Sequence, residues 1–156
     1  MAEEPRLLFL GMAGGFSLPP LRALLAAGLP VVAVLVPGEG ELRRLQPPAG
    51  LPILTPAASP SIVSLAWQRR LPVFEIGCLD PQVQLRADVI VVACWPRLIP
   101  ARFRALARFG AVNLHPSLLP DNRGPAPLFW TFRRGLSVAG VTVHLLDARL
   151  DAGDIL

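Results

Sequence analysis

The sequence predicts an α/β protein built on a mostly parallel sheet with helices on both faces. Three observations carry this expectation. Short continuous apolar runs recur along the chain, as strands buried on both faces require. They alternate with stretches whose apolar residues fall at helical spacing, the pattern of βαβ units. Gly or Pro punctuates the boundaries between them.

Leu7-Leu8-Phe9-Leu10 reads as a buried strand that ends in the glycine turn Gly11-Met12-Ala13-Gly14-Gly15. Ser17 stands as an N-cap before a helix with Leu21, Leu24 and Leu25 on one side, stopped by Gly28. Val31 to Val36 is the next strand, completing a strand-helix-strand unit of the parallel type. From Pro37 to Pro60 the chain reads as a connection, with a short strand at Pro52-Ile53-Leu54. Ser61 to Arg70 follows as a helix, Pro72 to Ile76 as a strand, and a short helix near Pro81 to Arg86 leads into Asp88 to Cys94, the clearest strand. Ile99-Pro100-Ala101 opens a helix with Phe103, Leu106 and Phe109 on one face and Gly110 as its stop. Ala111 to His115 is a strand, Pro125 to Arg134 a helix, and Gly140 to Leu146 a strand. Trp130 with Phe129 and Phe132 reads as helix packing rather than as a surface for stacking bases.

Composition excludes several classes. The 156 residues are 53% hydrophobic and 17% charged, which is too apolar for disorder and enough for one domain with a substantial core. Arginines such as Arg6, Arg22, Arg43 and Arg86 interrupt every apolar stretch, so no membrane span is expected. All 15 basic residues are arginine, and without lysine neither a Schiff base nor a Walker A loop can be built. The net charge of +4 is spread over scattered or paired arginines, which does not indicate a dedicated nucleic-acid face. Cys78 and Cys94 read as two reduced, buried thiols, and Glu3 and Glu4 stand where a secretory signal would be basic, so a cytoplasmic location is expected.

In such a sheet ligands sit beyond the C-terminal ends of the strands. Three segments qualify: Gly11 to Ser17, Cys94 to Arg97 and Asn113 to Arg123. The first lacks the GxGxxG fingerprint, and no acidic residue closes the next strand, which argues against a dinucleotide site. In the third, Asn113 and His115 are two apart on a strand, so their side chains leave the same face. An amide donor beside an imidazole, with a carboxylate such as Asp151 from a neighbouring strand end, suits attack of an amine on a carbonyl carbon through an oxyanion. A triad with Ser117 as nucleophile competes, but Ser117 lies in a Pro-Ser-Leu-Leu-Pro loop rather than a nucleophile elbow. It reads better as a loop hydroxyl bonding the backbone. Arg123 reads either as a partner for a carboxylate or carbonyls near the loop or as a group facing substrate; His144 reads as a satisfied histidine on the sheet, with support of the site as the lesser alternative.

The string Asn113-Leu114-His115-Pro116-Ser117-Leu118-Leu119-Pro120, with Arg123-Gly124, Pro127, Trp130, Gly140-Val141-Thr142 and Leu150-Asp151-Ala152-Gly153-Asp154, strongly resembles the folate-dependent formyltransferase family. The opening strand and helix, through Phe16-Ser17-Leu18-Pro19 to Gly28, look most like the methionyl-tRNA branch. The resemblance implies a Rossmann-like formyltransferase fold, with residues 1–156 as the catalytic domain, shortened at its C-terminal end. It implies transfer of a formyl group from N10-formyltetrahydrofolate, without a metal, to an amine borne by an aminoacyl-tRNA, a nucleotide or an amino sugar. Asn113, His115 and Asp151 match the family's catalytic residues: Asn113 and protonated His115 would stabilise a tetrahedral oxyanion, and Asp151 would orient His115 and help move the amine's proton. Cys94, Trp95, Pro96, Leu146, Asp147 and Gly153 match the folate pocket, and Ser117, Leu118, Leu119, Pro120 and Arg123 the substrate loop. Family members often carry Tyr-Gly where this chain has Trp95-Pro96, and a longer basic loop where it has Arg43-Arg44. Hydrolysis of formyltetrahydrofolate, or folate binding without turnover, are the alternative readings. An uncovered sheet edge that a second copy could cover is a further expectation.

Overall fold

Every residue of β1 (Leu7–Gly11) is buried, and a strand apolar on both faces can lie only at the centre of a covered sheet. The computed structural model, which describes residues 4–47, 60–79 and 85–156, places it there. Along the chain follow α1 (Leu18–Ala26), β2 (Val31–Pro37), β3 (Arg43–Leu45), α2 (Ile62–Gln68), β4 (Val73–Ile76), β5 (Val89–Ala93), α3 (Ala101–Arg104), β6 (Ala111–His115), α4 (Pro127–Arg133) and β7 (Thr142–Leu145). The sheet order is β3-β4-β2-β1-β5-β6-β7. The inner strands are parallel, and both edges, β3 and β7, run antiparallel.

Alternation along β1 divides the core into two layers. Leu8 and Leu10 join Leu35, Ile90 and Val92 on the face closed by Ile99 and Phe103, whereas Leu7 and Phe9 face Leu21 of α1 and Ile62 and Ala66 of α2. The helices thus cover both faces, as expected. The connection order reverses between β1 and β5, and this switch point opens the crevice where ligands bind in open α/β sheets.

Local chemistry explains the ends of the elements. Ser61 caps α2 through a reciprocal pair with Ser64, which satisfies two otherwise unpaired backbone N–H groups. Ser17 stands at the N-cap position of α1 but makes no capping bond. Its hydroxyl instead donates to Ala93 O at 2.8 Å and accepts from Met12 N–H at 3.0 Å, stitching the turn after β1 to the end of β5.

Several expectations are corrected. The connection after β2 contains the strand β3, whose Arg43 pairs with Glu75 of β4 at 2.5 Å across an exposed edge. The proposed strand at 52–54 and most of the helix near 81–86 lie outside the described residues. The helix at Ala101 is a single turn: Phe103 is fully buried, but Phe109 is 57% exposed and lies beneath the Arg108 guanidinium. Phe109 lies beyond the end of this turn at Arg104, so helical spacing does not carry it to the face that Phe103 buries. Phe129, Trp130 and Phe132 of α4 are 55%, 40% and 82% exposed, so they do not pack into the core; the buried residues of this helix are Pro127 and Thr131. Cys78 is exposed and Cys94 half-buried. Beyond β7 the chain doubles back, with Leu145 N–H on Asp154 O and Leu156 N–H on Val143 O, so part of that edge is paired.

Among the described residues, no helix is long and apolar enough to cross a membrane. Because Phe103 alone anchors the α3 turn, Phe103→Ala is expected to cost about 3–5 kcal/mol in denaturant unfolding, against roughly 0.5 kcal/mol or less for Phe109→Ala.

Candidate active site

The register of β6 against β7 sets Asn113 opposite His144 and His115 opposite Thr142. Directly opposed residues share a face of the sheet, so four polar side chains gather on one patch. His115, Thr142 and His144 are buried there, as is Asp151 from the turn after β7. Asp151 reaches the patch because the turn folds tightly onto β7. At Gly153 a Cβ atom would fall 1.9 Å from Leu145 O, a position only glycine can fill.

The hydrogen bonds define a network around one carboxylate. Asp151 Oδ2 accepts from Gly124 N–H at 2.9 Å, and Asp151 Oδ1 accepts from Asn113 Nδ2 at 3.4 Å. The carboxylate also lies 3.6 Å from His115 Nδ1 and 3.6 Å from His144 Nε2. His144 Nδ1 donates to Leu145 O at 2.8 Å, which leaves Nε2 bare to accept from Asn113 Nδ2 at 3.2 Å. His115 Nε2 donates to Asn122 O at 2.9 Å, so its Nδ1, facing the carboxylate, is where a second proton can be held. Carbonyl oxygens only accept, and that fact assigns both tautomers.

Two cavities flank the end of β6. One, of about 300 Å³, is lined by Trp95, Arg97, Arg104, Asn113, Asp147 and Asp151 among others. The other, of about 700 Å³, opens at the switch point among Gly15, Phe16, Pro19, Cys94, Leu114 and Val141, and none of the described residues lining it is charged. Asn113 and Leu114 line opposite cavities because successive strand residues point to opposite faces.

The residues picked out from sequence distribute as follows. Asn113, His115 and Asp151 meet in the network. Trp95, Leu146 and Asp147 line the smaller cavity, whereas Cys94 lines the larger one. Pro96 is exposed and Gly153 shapes the turn. Ser117 Oγ donates to Asp121 O at 2.8 Å rather than to His115, which removes the triad arrangement. Leu119 N–H donates to Thr142 Oγ1, Leu118 is exposed, and the Leu119-Pro120 bond is cis. Arg123 makes no ion pair among the described residues and lines a separate small cavity. Sequence reasoning undervalued His144, which is fully buried inside the network, and missed Asn122 and Thr131, which brace the loop behind His115. The signal for His144 was its place two residues after Thr142 on the strand that must pair with β6. Among the described residues, four of the five non-glycine residues with left-handed backbone, Cys94, Asn122, Ala126 and Asp151, stand around this site. Among the described residues, no group of three His, Cys, Asp or Glu side chains could hold a metal ion.

The pattern of the family described as formyl transferase matches residues 61–156. The chain belongs to the formyl transferase family. It is 34% identical over 162 residues to the methionyl-tRNA formyltransferase of Bacillus pumilus, covering 97% of this chain and 46% of that protein. It is 38% identical over 158 residues to that of Chlorobium phaeovibrioides, covering 97% and 47%. The chain therefore spans about half the length of these curated relatives. Phosphoribosylglycinamide formyltransferase from Bacillus halodurans shares the fold at a TM-score of 0.70 and 22% identity, over 96% of this chain and 76% of that one. A formyltetrahydrofolate deformylase from Pseudomonas syringae pv. tomato does so at 0.68 and 19%, over 99% and 50%. The mostly parallel, helix-covered sheet is thus the formyl transferase family's own.

Two outcomes test the site's construction. Gly153→Ala should lower unfolding stability by about 1–3 kcal/mol, since the turn must leave β7. Burial pushes the Cys94 thiol up, with the Ser17 hydroxyl acting the other way. The thiolate is the nucleophile, so alkylation of Cys94 by iodoacetamide should accelerate only as pH rises past the ordinary thiol range of about 8.5. Ser17→Ala should move that rise to still higher pH, as followed by mass spectrometry of the labelled peptide.

Proposed function

We propose that residues 1–156 act as a catalytic unit that transfers a formyl group from N10-formyltetrahydrofolate to the amine of an aminoacyl-tRNA, methionyl-tRNA above all. The observation that carries this reading is the network of Asn113 with the buried His115, His144 and Asp151 at the end of β6, which two cavities of opposite character flank.

The smaller cavity fits the donor. Among the described residues the buried Trp95 Nε1 has no hydrogen-bond partner, and Trp95 lines this cavity together with Arg97, Arg104 and Arg149. An unpaired N–H suits an acceptor atom of a heterocycle, and arginines suit a carboxylate tail. Bound there, the donor supplies a formyl carbon open to attack by an amine.

The larger cavity favours an apolar acceptor side chain. A methionyl chain can fill a pocket walled by Phe16, Pro19, Ala23 and Val141, whereas a phosphorylated nucleotide would meet no cation among the described residues lining it. This supports the acceptor named for the curated relatives.

The chain's own residues then do the following. Asn113 Nδ2 stands at the cavity wall, and its 3.4 Å contact with Asp151 is the long one, easily exchanged for an oxygen gaining negative charge. His115, on taking a proton at Nδ1 beside Asp151, adds positive charge close to that oxygen. His144 keeps the Asn113 amide turned so that its N–H groups face inward.

The test is tetrahydrofolate release from N10-formyltetrahydrofolate with methionyl-tRNA, with glycinamide ribonucleotide and with no amine. Release that depends on methionyl-tRNA is expected. Release independent of amine would make the protein a hydrolase, and none would leave a binding role. Asn113→Ala, His115→Ala and Asp151→Asn should each lower turnover by about 10²–10⁴-fold, and near-normal rates would overturn these assignments.

A further inference from the structure

The exposed aromatic residues of α4 are not isolated. Trp130 stands with Arg123, Arg134 and Asn122 around a cavity of about 300 Å³ on the outer side of the loop that holds His115. Arg134 lies four residues after Trp130 on the same helix face, its guanidinium 6.0 Å from the indole centroid, the outer limit of a cation–π contact. Phe129 meets Trp130 edge to face at 5.3 Å, which fixes the ring's orientation. Among the described residues neither arginine has an acidic partner within ion-pair distance. An exposed indole between two uncommitted guanidinium groups combines a stacking platform with counter-charges for a phosphate backbone, the composition of single-stranded nucleic-acid sites.

We propose that this cavity is a binding subsite for single-stranded RNA: one base stacks on Trp130, and the flanking phosphates are held by Arg123 and Arg134. It rests on the reading above that the acceptor amine is carried on RNA, and it locates a contact for that RNA within this chain. The shared loop gives the contact its use. Asn122 lines the cavity and its carbonyl accepts the His115 Nε2–H, so RNA seated on Trp130 lies one residue from the catalytic network. Self-association through the same surface is disfavoured by charge, since two copies at net +4 would bring arginine against arginine.

A fluorescently labelled single-stranded RNA oligonucleotide, titrated into the protein and followed by anisotropy, tests the subsite without any turnover. Binding is expected, weakened about tenfold by Trp130→Leu through loss of base stacking. Arg123→Gln and Arg134→Gln should each lower the slope of log affinity against log salt by about one, whereas Arg69→Gln, on the far side of the sheet, should leave affinity and slope unchanged. No binding, or equal effects from all three arginine variants, would overturn the subsite. So would light scattering that shows a dimer dissociated by Phe132→Ser or Trp130→Leu, which would make the surface a contact between copies. The two readings fail separately. Formyl transfer to a methionine ester without RNA binding removes the subsite alone, and RNA binding with amine-independent release of tetrahydrofolate removes the acceptor assignment alone.

Discussion

The carboxylate of Asp151 is the constraint on which the C-terminal half of the molecule depends. Burying a charge is costly unless it is paired and hydrogen-bonded, and here the partners come from β6, from the loop at Gly124 and from β7. No single segment could satisfy it. The loop from Pro116 to Ala126 carries little apolar surface inward, and it is held by Gly124 N–H on the carboxylate and by the Asn122, Thr131 and Ser117 bonds behind it. Removing one partner of a buried ionic cluster typically costs about 3–5 kcal/mol, so the same contacts that arrange the chemistry also hold the region closed.

The parallel sheet contributes position rather than reactivity. Its order reverses between β1 and β5, which opens the larger cavity, and the antiparallel return of β7 beside β6 brings His144 and Thr142 against Asn113 and His115. Alternation along β6 then assigns Asn113 to one cavity and Leu114 to the other. A polar cavity with arginines on one face and an apolar one on the other follow from two consecutive residues of one strand.

Much of this was legible in the sequence where one physical signal dominated. The run Asp88 to Cys94 has no reading but a buried strand, and Asn113 with His115 at a spacing of two had to share a face. What escaped notice depended on contacts distant in sequence. β3 is a short, arginine-bearing edge strand, stabilised by pairing with Glu75 rather than by burial, so no apolar run announced it. The α3 turn ends after four residues although its aromatic spacing suggested a longer helix. His144 looked like an ordinary sheet histidine until its partner on β6 was known, and the α4 aromatics looked like core because aromatic residues usually are. The scattered arginines gave no basic face in sequence, yet the fold brings Arg123 and Arg134 to one cavity.

The left-handed residues around the site have a consequence for how this protein can change. Cys94 and Ala126 each hold a backbone conformation that costs a non-glycine residue about 1–2 kcal/mol, and Asn122 and Asp151, of the residue types that enter it most readily, hold it at a smaller cost. Glycine at any of them would relieve that local cost, so a search for more stable sequences would be drawn to these positions. Asn122, Ala126 and Asp151 sit in the loops that carry Asp151 and the carbonyl facing His115, and glycine would let those loops wander. Robustness and function are therefore opposed at a few backbone angles, and relatives that stay active are expected to retain the strained conformers while gaining stability elsewhere.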